Sequence, residues 1–250
     1  MSGLPVGIVA ALMLAPPVFA HAQTAPPVPR QERVTFAKGS SSATLRGRLK
    51  GDAEVDYVVR AGAGQTLSVK LKESNPQNYF NVLPPGSADV AMYVGQTGED
   101  FTGMLPADGD YTVRVYLMRP AARRNETSDY TLTIAATGKA LAPLPASKDA
   151  LVPGTNYHAS ASIACVPAPY LDPKPRQCEA FVVRRGNDGT ATVEIPQDDT
   201  HRRRILFVRG KPVASDSAEA MTFTRQGDVT VVKFGEGERY EIPDALVFGG

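Results

Sequence analysis

The sequence predicts an all-β protein of two antiparallel β domains, the first a β-sandwich and the second a smaller β meander or barrel. Three observations carry this. Apolar residues alternate with period two over most of the chain, as in strands with one face on a core. Clusters of Gly, Pro, Asn and Asp break the alternation at short intervals, where turns belong. Two stretches, "TAPPVPR" and "TGKALAPLPASKDALVPGT", lack alternation and divide the chain.

Taken in order, residues 1–22 read as a secretory signal. Leu4 to Ala20 is apolar, and Ala20-His21-Ala22 offers the small-x-small pattern of signal peptidase. Pro16-Pro17 interrupt a run that is already near the lower length limit for spanning a bilayer, so no membrane association is expected after cleavage. The protein is expected to be periplasmic or secreted. Residues 23–32 form a Pro-rich tether. Residues 33–137 carry short strand patterns such as Leu67, Val69, Leu71 and Val113, Val115, Leu117, separated by "KGSSS", "AGAGQ", "ESNPQN" and "ADGD". About seven or eight such strands indicate an antiparallel sandwich. "PAARRNETSD" offers the one helical turn. Residues 138–155 are a linker, and 156–250 repeat the strand style in "CEAFVVRRG", "TATVEIPQ", "RRRILFVRG" and "VTVVKFG". An antiparallel meander, curled or closed, follows.

Composition narrows the function. Lys and Arg number 27 against 26 Asp and Glu, a formal net charge of +1, so no overall field favours nucleic acid or an anionic membrane. Cys165 and Cys178 are an even pair in a chain read as exported, where a disulfide is expected and would stabilise the second domain by roughly 3 kcal/mol. No further thiol or imidazole stands at zinc-ligand spacing, and neither metal nor cofactor is expected. Beyond the signal, the histidines are His158 and His201, which share no motif, and no nucleophile elbow or phosphate loop is present. Asp108 and Asp110 lie in a turn without the apolar surroundings that raise an acid's pKa. The chain therefore reads as a binder, not an enzyme. Arg184-Arg185 and Arg202-Arg203-Arg204 read as hydrated charges that guard strand edges, not as polyanion contacts.

The first domain resembles the periplasmic inhibitors of goose-type lysozyme. The matching stretches are "FAKGSSSATLRGRLKGDAEVDYVVRAGAGQTLSVKL" (36–71) and "LPADGDYTVRVYLMRPAARRNETSDYTLTI" (105–134), including the spacing from Gly109-x-Tyr111 through Arg119, Arg123 and Asn125 to Tyr130. That fold is in turn similar to the bacterial pre-peptidase C-terminal sandwich. The resemblance implies that a Ser-Gly-x-Tyr loop enters the lysozyme cleft. Here Gly109 and Tyr111 match the motif, while Asp108 holds the Ser position. A hydroxyl can donate to a catalytic carboxylate, whereas an ionised Asp repels it. Arg119 and Arg123, placed at the same end of the sandwich, would pair with those carboxylates instead. The implied lysozyme-binding residues are Asp108, Gly109, Tyr111, Arg119, Arg123 and Asn125, with the Asp108-Gly109-Asp110-Tyr111 hairpin as a rigid plug. The alternative is a non-catalytic β-sandwich binding module for envelope glycan, such as peptidoglycan, or protein, in which the Tyr111 hydroxyl simply locks a sheet corner.

Overall fold

The computed structural model describes residues 28–97, 100–168 and 174–249. The signal sequence read over 1–22 lies outside them. The first domain contains β1 (Arg30–Val34), β2 (Ser42–Lys50), β3 (Val55–Ala61), β4 (Thr66–Glu73), β5 (Asn78–Leu83), β6 (Tyr93–Val94), β7 (Asp100–Met104), β8 (Gly109–Leu117), the single-turn α1 (Arg119–Arg123) and β9 (Thr127–Thr137). One sheet has the order β1-β3-β8-β5-β6, and the facing sheet β2-β9-β4-β7.

Period-two alternation sets the inward faces. In β8, Tyr111, Val113, Val115 and Leu117 are buried and the residues between them are partly exposed. They meet Leu67, Val69, Leu132 and Ile134 from the other sheet in one core. The sheets are also joined by a buried hydroxyl pair, Tyr57 Oη to Tyr130 Oη at 2.8 Å. Gly47 stands opposite Tyr130 in the β2–β9 ladder, and a Cβ there would collide with the Tyr130 phenol, so the ring lies flat only over glycine.

The sheets are antiparallel as expected, with one exception: β1 runs parallel to β3. That strand begins at Arg30, inside the stretch read as tether; pairing with the open edge of β3 satisfies its main chain.

The second domain comprises β10 (Ala159–Val166), β11 (Arg176–Arg184), β12 (Ala191–Pro196), β13 (Arg202–Val208), β14 (Lys211–Ser215), β15 (Met221–Gln226), β16 (Val229–Phe234), β17 (Glu238–Pro243) and the short α2 (Asp244–Phe248). Its single sheet has the order β14-β13-β12-β11-β10-β17-β16-β15, curled so that the end strands β14 and β15 approach each other. The strands are antiparallel, giving a nearly closed barrel around Val182, Val193, Ile205, Phe207, Val232 and Tyr240. Cys165 and Cys178 form a disulfide between the neighbouring strands β10 and β11, with Cα atoms 5.9 Å apart.

Candidate functional site

The segment Leu105-Pro106-Ala107-Asp108 leads from β7 into β8. These strands belong to different sheets, β7 pairing with β4 and β8 with β3 and β5. The Asp108-Gly109 turn is therefore an arch between sheets, which corrects the expected tight hairpin. Pro106, which donates no main-chain hydrogen bond, suits such a crossing. Tyr111 has no exposed surface, and its hydroxyl donates to the Ala107 carbonyl at 2.8 Å, tying the strand to the arch that precedes it. Burial pushes the Tyr111 phenol pKa upward. Gly109 is buried against Pro85, and a Cβ would strike the proline ring. Asp110 faces outward and pairs with Arg33 at 3.0 Å, whose hydrogen bond holds the carboxyl below its ordinary value.

Asp108 is committed on both oxygens. Oδ1 accepts from the Ala63 amide at 2.9 Å, and Oδ2 accepts from Arg185 Nη1 at 2.8 Å. Arg185 belongs to the second domain and is 2% exposed. The same guanidinium donates to the Leu141 carbonyl and, through Nε, to Thr192 Oγ1 at 3.0 Å. Thr192 in turn donates to the Pro106 carbonyl at 2.7 Å. Leu206 and Ala214 of the barrel bury Ala63 beside Leu141. A further clasp forms where His201 sits between Asp89 of the sandwich, 2.8 Å from Nε2, and Asp198 of its own domain, 2.7 Å from Nδ1. The barrel is thus seated on the end of the sandwich that carries the arch.

Arg119, Arg123 and Asn125 lie elsewhere. α1 follows the far end of β8, so the nine residues of that strand separate it from Gly109 by on the order of 26 Å at about 3.3 Å per residue. The six residues expected to form one surface are divided between opposite ends of the sandwich. At the α1 end Arg119 and Arg123 are exposed and make no ion pair among the described residues. Four residues apart on one helical turn, they share a face. Asn125 is exposed with a φ of 56°, the left-handed conformation that Asn tolerates better than most residues, and it lets the chain turn sharply from α1 into β9. Tyr79 and Tyr116 are cross-strand partners on the outer face of the nearby sheet, both partly exposed.

Several residues acquire roles that the sequence did not reveal. Arg184, Arg185, Arg203 and Arg204 are not hydrated edge guards. Arg203 is buried between Glu238, at 2.6 Å, and Asp216, at 3.2 Å, and Arg204 meets Asp216 at 3.1 Å. Arg184 pairs with Asp149 at 2.9 Å and donates to the Leu246 carbonyl. Burying a guanidinium is tolerated because acceptors replace its water. His158 is likewise internal: Nδ1 accepts from the Arg184 amide at 3.0 Å and Nε2 donates to the Leu144 carbonyl at 2.9 Å, fastening the linker to the barrel. The described residues contain no cluster of three or more His, Cys, Asp or Glu suited to a metal ion.

No protein-family model matches the sequence. The chain is similar to the inhibitor of g-type lysozyme from Escherichia coli strain K12, with 34% identity over 104 residues, which covers 40% of this chain and 77% of that protein. Among solved structures it is similar to the periplasmic inhibitor of g-type lysozyme from Aeromonas hydrophila, with 35% identity over 43% of this chain and 96% of that one and a TM-score of 0.41. A mutant of the Escherichia coli inhibitor gives 30% identity over 44% and 100%, with a TM-score of 0.36. These matches leave more than half of the present chain without a counterpart. Through a stretch about the length of its sandwich domain, the chain belongs to the family of inhibitors of g-type lysozyme.

Proposed function

We propose that this chain is a periplasmic inhibitor of a g-type lysozyme that occludes the enzyme's active-site cleft and carries out no reaction itself. The membership above and the relatives' description as periplasmic lysozyme inhibitors support the activity and its compartment. The contact is made by the α1 end, with Arg119, Arg123 and Asn125 at its centre. The observation that carries this choice is the pair of exposed, unpaired guanidiniums one turn apart, in a chain whose buried arginines are satisfied internally. Glycoside hydrolysis relies on carboxyl groups at the base of a cleft, and charge-assisted pairing with guanidinium is strong there. Tyr79 and Tyr116, paired across β5 and β8, the latter leading into α1, add aromatic area of the kind found at interface centres.

Asp108, Gly109 and Tyr111 enter this reading as architecture. They fix the start of β8, so the strand delivers α1 at a set position without ordering cost on binding. The Asp in place of Ser is then no electrostatic obstacle, because its charge is spent on Arg185. The test is inhibition of g-type lysozyme by the full secreted chain, measured as the clearing rate of a cell-wall suspension. Arg119→Ala with Arg123→Ala is expected to weaken inhibition at least about tenfold, the scale of an interface hot spot, with no change in melting temperature. Unchanged inhibition would move the contact away from α1. A wild-type chain that fails to slow the enzyme in molar excess would refute the function.

A further inference from the structure

The α1 contact leaves the barrel without a task, and where the linker and barrel meet Asp108 of the arch they leave an open cleft of about 510 Å³. From this cleft we infer that the chain holds a second site, for a neutral glycan of N-acetylated amino sugars. It goes beyond lysozyme inhibition and lies at the opposite end of the sandwich from Arg119 and Arg123.

The ligand class follows from the lining. Tyr157 lines the cleft half-buried and pre-set: its ring stacks on Phe181 with centroids 4.8 Å apart, and its hydroxyl donates to Glu194 at 3.1 Å. A fixed phenol ring in a wet cleft is a platform for the apolar face of a pyranose. Asn156, next to it, is exposed, and its side chain makes no hydrogen bond among the described residues. It can offer both a donor and an acceptor, as an acetamido group requires. Glu194 and Asp108 keep acceptor capacity toward hydroxyl groups, since each carboxylate has more lone-pair positions than its present partners use. Leu144 and Leu151 provide an apolar wall against which an acetyl methyl group would be sheltered.

Charge and topology exclude the other classes. The carboxylates are already matched, Asp108 by Arg185 at 2.8 Å and Glu194 by Arg204 at 3.7 Å, so the cleft offers little net field to an anion or a cation. The strands bordering it, β11 and β12, are interior to the eight-stranded sheet and have no free edge for an extended peptide. A hydroxyl-rich, uncharged chain with apolar ring faces is what remains. Such a site would hold an inhibitor on the polymer that lysozyme attacks, with the α1 end left free.

Calorimetric titration of the full chain with chitotetraose and with cellotetraose tests this. Saturable binding of chitotetraose is expected, with cellotetraose at least about tenfold weaker because it lacks the acetamido group. Tyr157→Ala should weaken chitotetraose binding about tenfold, roughly the loss of one stacking surface. Asn156→Ala, which breaks no bond of the fold, should weaken it several-fold. No saturable heat with either sugar, or unaltered affinity in both variants, would overturn the site; equal affinity for the two sugars would overturn the amino-sugar assignment. Lysozyme inhibition by Tyr157→Ala, assayed on a soluble substrate, should equal that of the wild type. Loss of sugar binding with inhibition intact therefore separates this site from the α1 contact.

Discussion

Tyr111 and Asp108 stand three residues apart in one short motif, and their surroundings give them different work. The Tyr111 hydroxyl has one partner, the Ala107 carbonyl, in a region closed to water. Tyr111→Phe leaves that carbonyl short of a donor and is expected to cost about 1–2 kcal/mol, read as a lower denaturant midpoint at constant slope. Inhibition per folded molecule should not change. Asp108→Ser, which installs the residue that the resemblance to the inhibitor family implies, removes a carboxylate from a guanidinium that has almost no exposed surface. It is expected to destabilise the full chain by about 1–3 kcal/mol in the same measurement, the scale of a hydrogen bond to a charged group. A neutral or stabilising result would show that Arg185 is satisfied by Leu141 and Thr192 alone. The sequence allowed Tyr111 to lock a corner, because a tyrosine before alternating apolar residues has that use. It held no sign of the Asp108 partner.

At the scale of elements, local chemistry and long-range pairing divide the outcome. The alternation in β8 and the "PAARRNETSD" stretch were legible, and α1 spans Arg119–Arg123 with Pro120 in its first turn, where a missing amide does no harm. Whether Asp-Gly closes a hairpin or an arch was not legible, because the same alternation serves a strand in either sheet. That distinction decides the candidate site: an arch buried between sheets exposes little, while the opposite end of β8 presents α1. The parallel β1–β3 pairing was missed for a similar reason, since a Pro-rich segment can still lend its amides and carbonyls to an open edge. The β10–β11 disulfide closes a short loop, its cysteines 13 positions apart in sequence. Reduction is expected to lower barrel stability by about 3 kcal/mol, seen as a reductant-dependent shift in the unfolding of residues 156–250 by hydrogen exchange.

For the whole molecule, the contact between barrel and sandwich is sensitive to pH through His201. Hydrogen bonds to Asp89 and then to Asp198 raise its pKa above the ordinary value. A raised folded pKa contributes stability that is complete below the unfolded value, near 6.5, and is lost as pH rises through the folded value. Both carboxylates are shifted down, mainly by their hydrogen bonds to His201, so their contribution is complete above about 3.8 and is lost as pH falls through the depressed values. The clasp is therefore strongest in mildly acidic solution. The melting-temperature gap between wild type and His201→Asn is expected to be larger at pH 6 than at pH 9; a gap that grows with pH would contradict the arrangement. By itself the sequence determined the all-β class, the strands with their inward faces, and the two cysteines suited to pair. These follow from side-chain period and turn chemistry, which act between near neighbours. Tertiary structure alone decided which sheet each strand joins, which end of the sandwich bears Arg119 and Arg123, and that Arg185 reaches Asp108 across 77 positions. Such contacts arise when separately formed layers meet, and burial then selects the partner each charge must find.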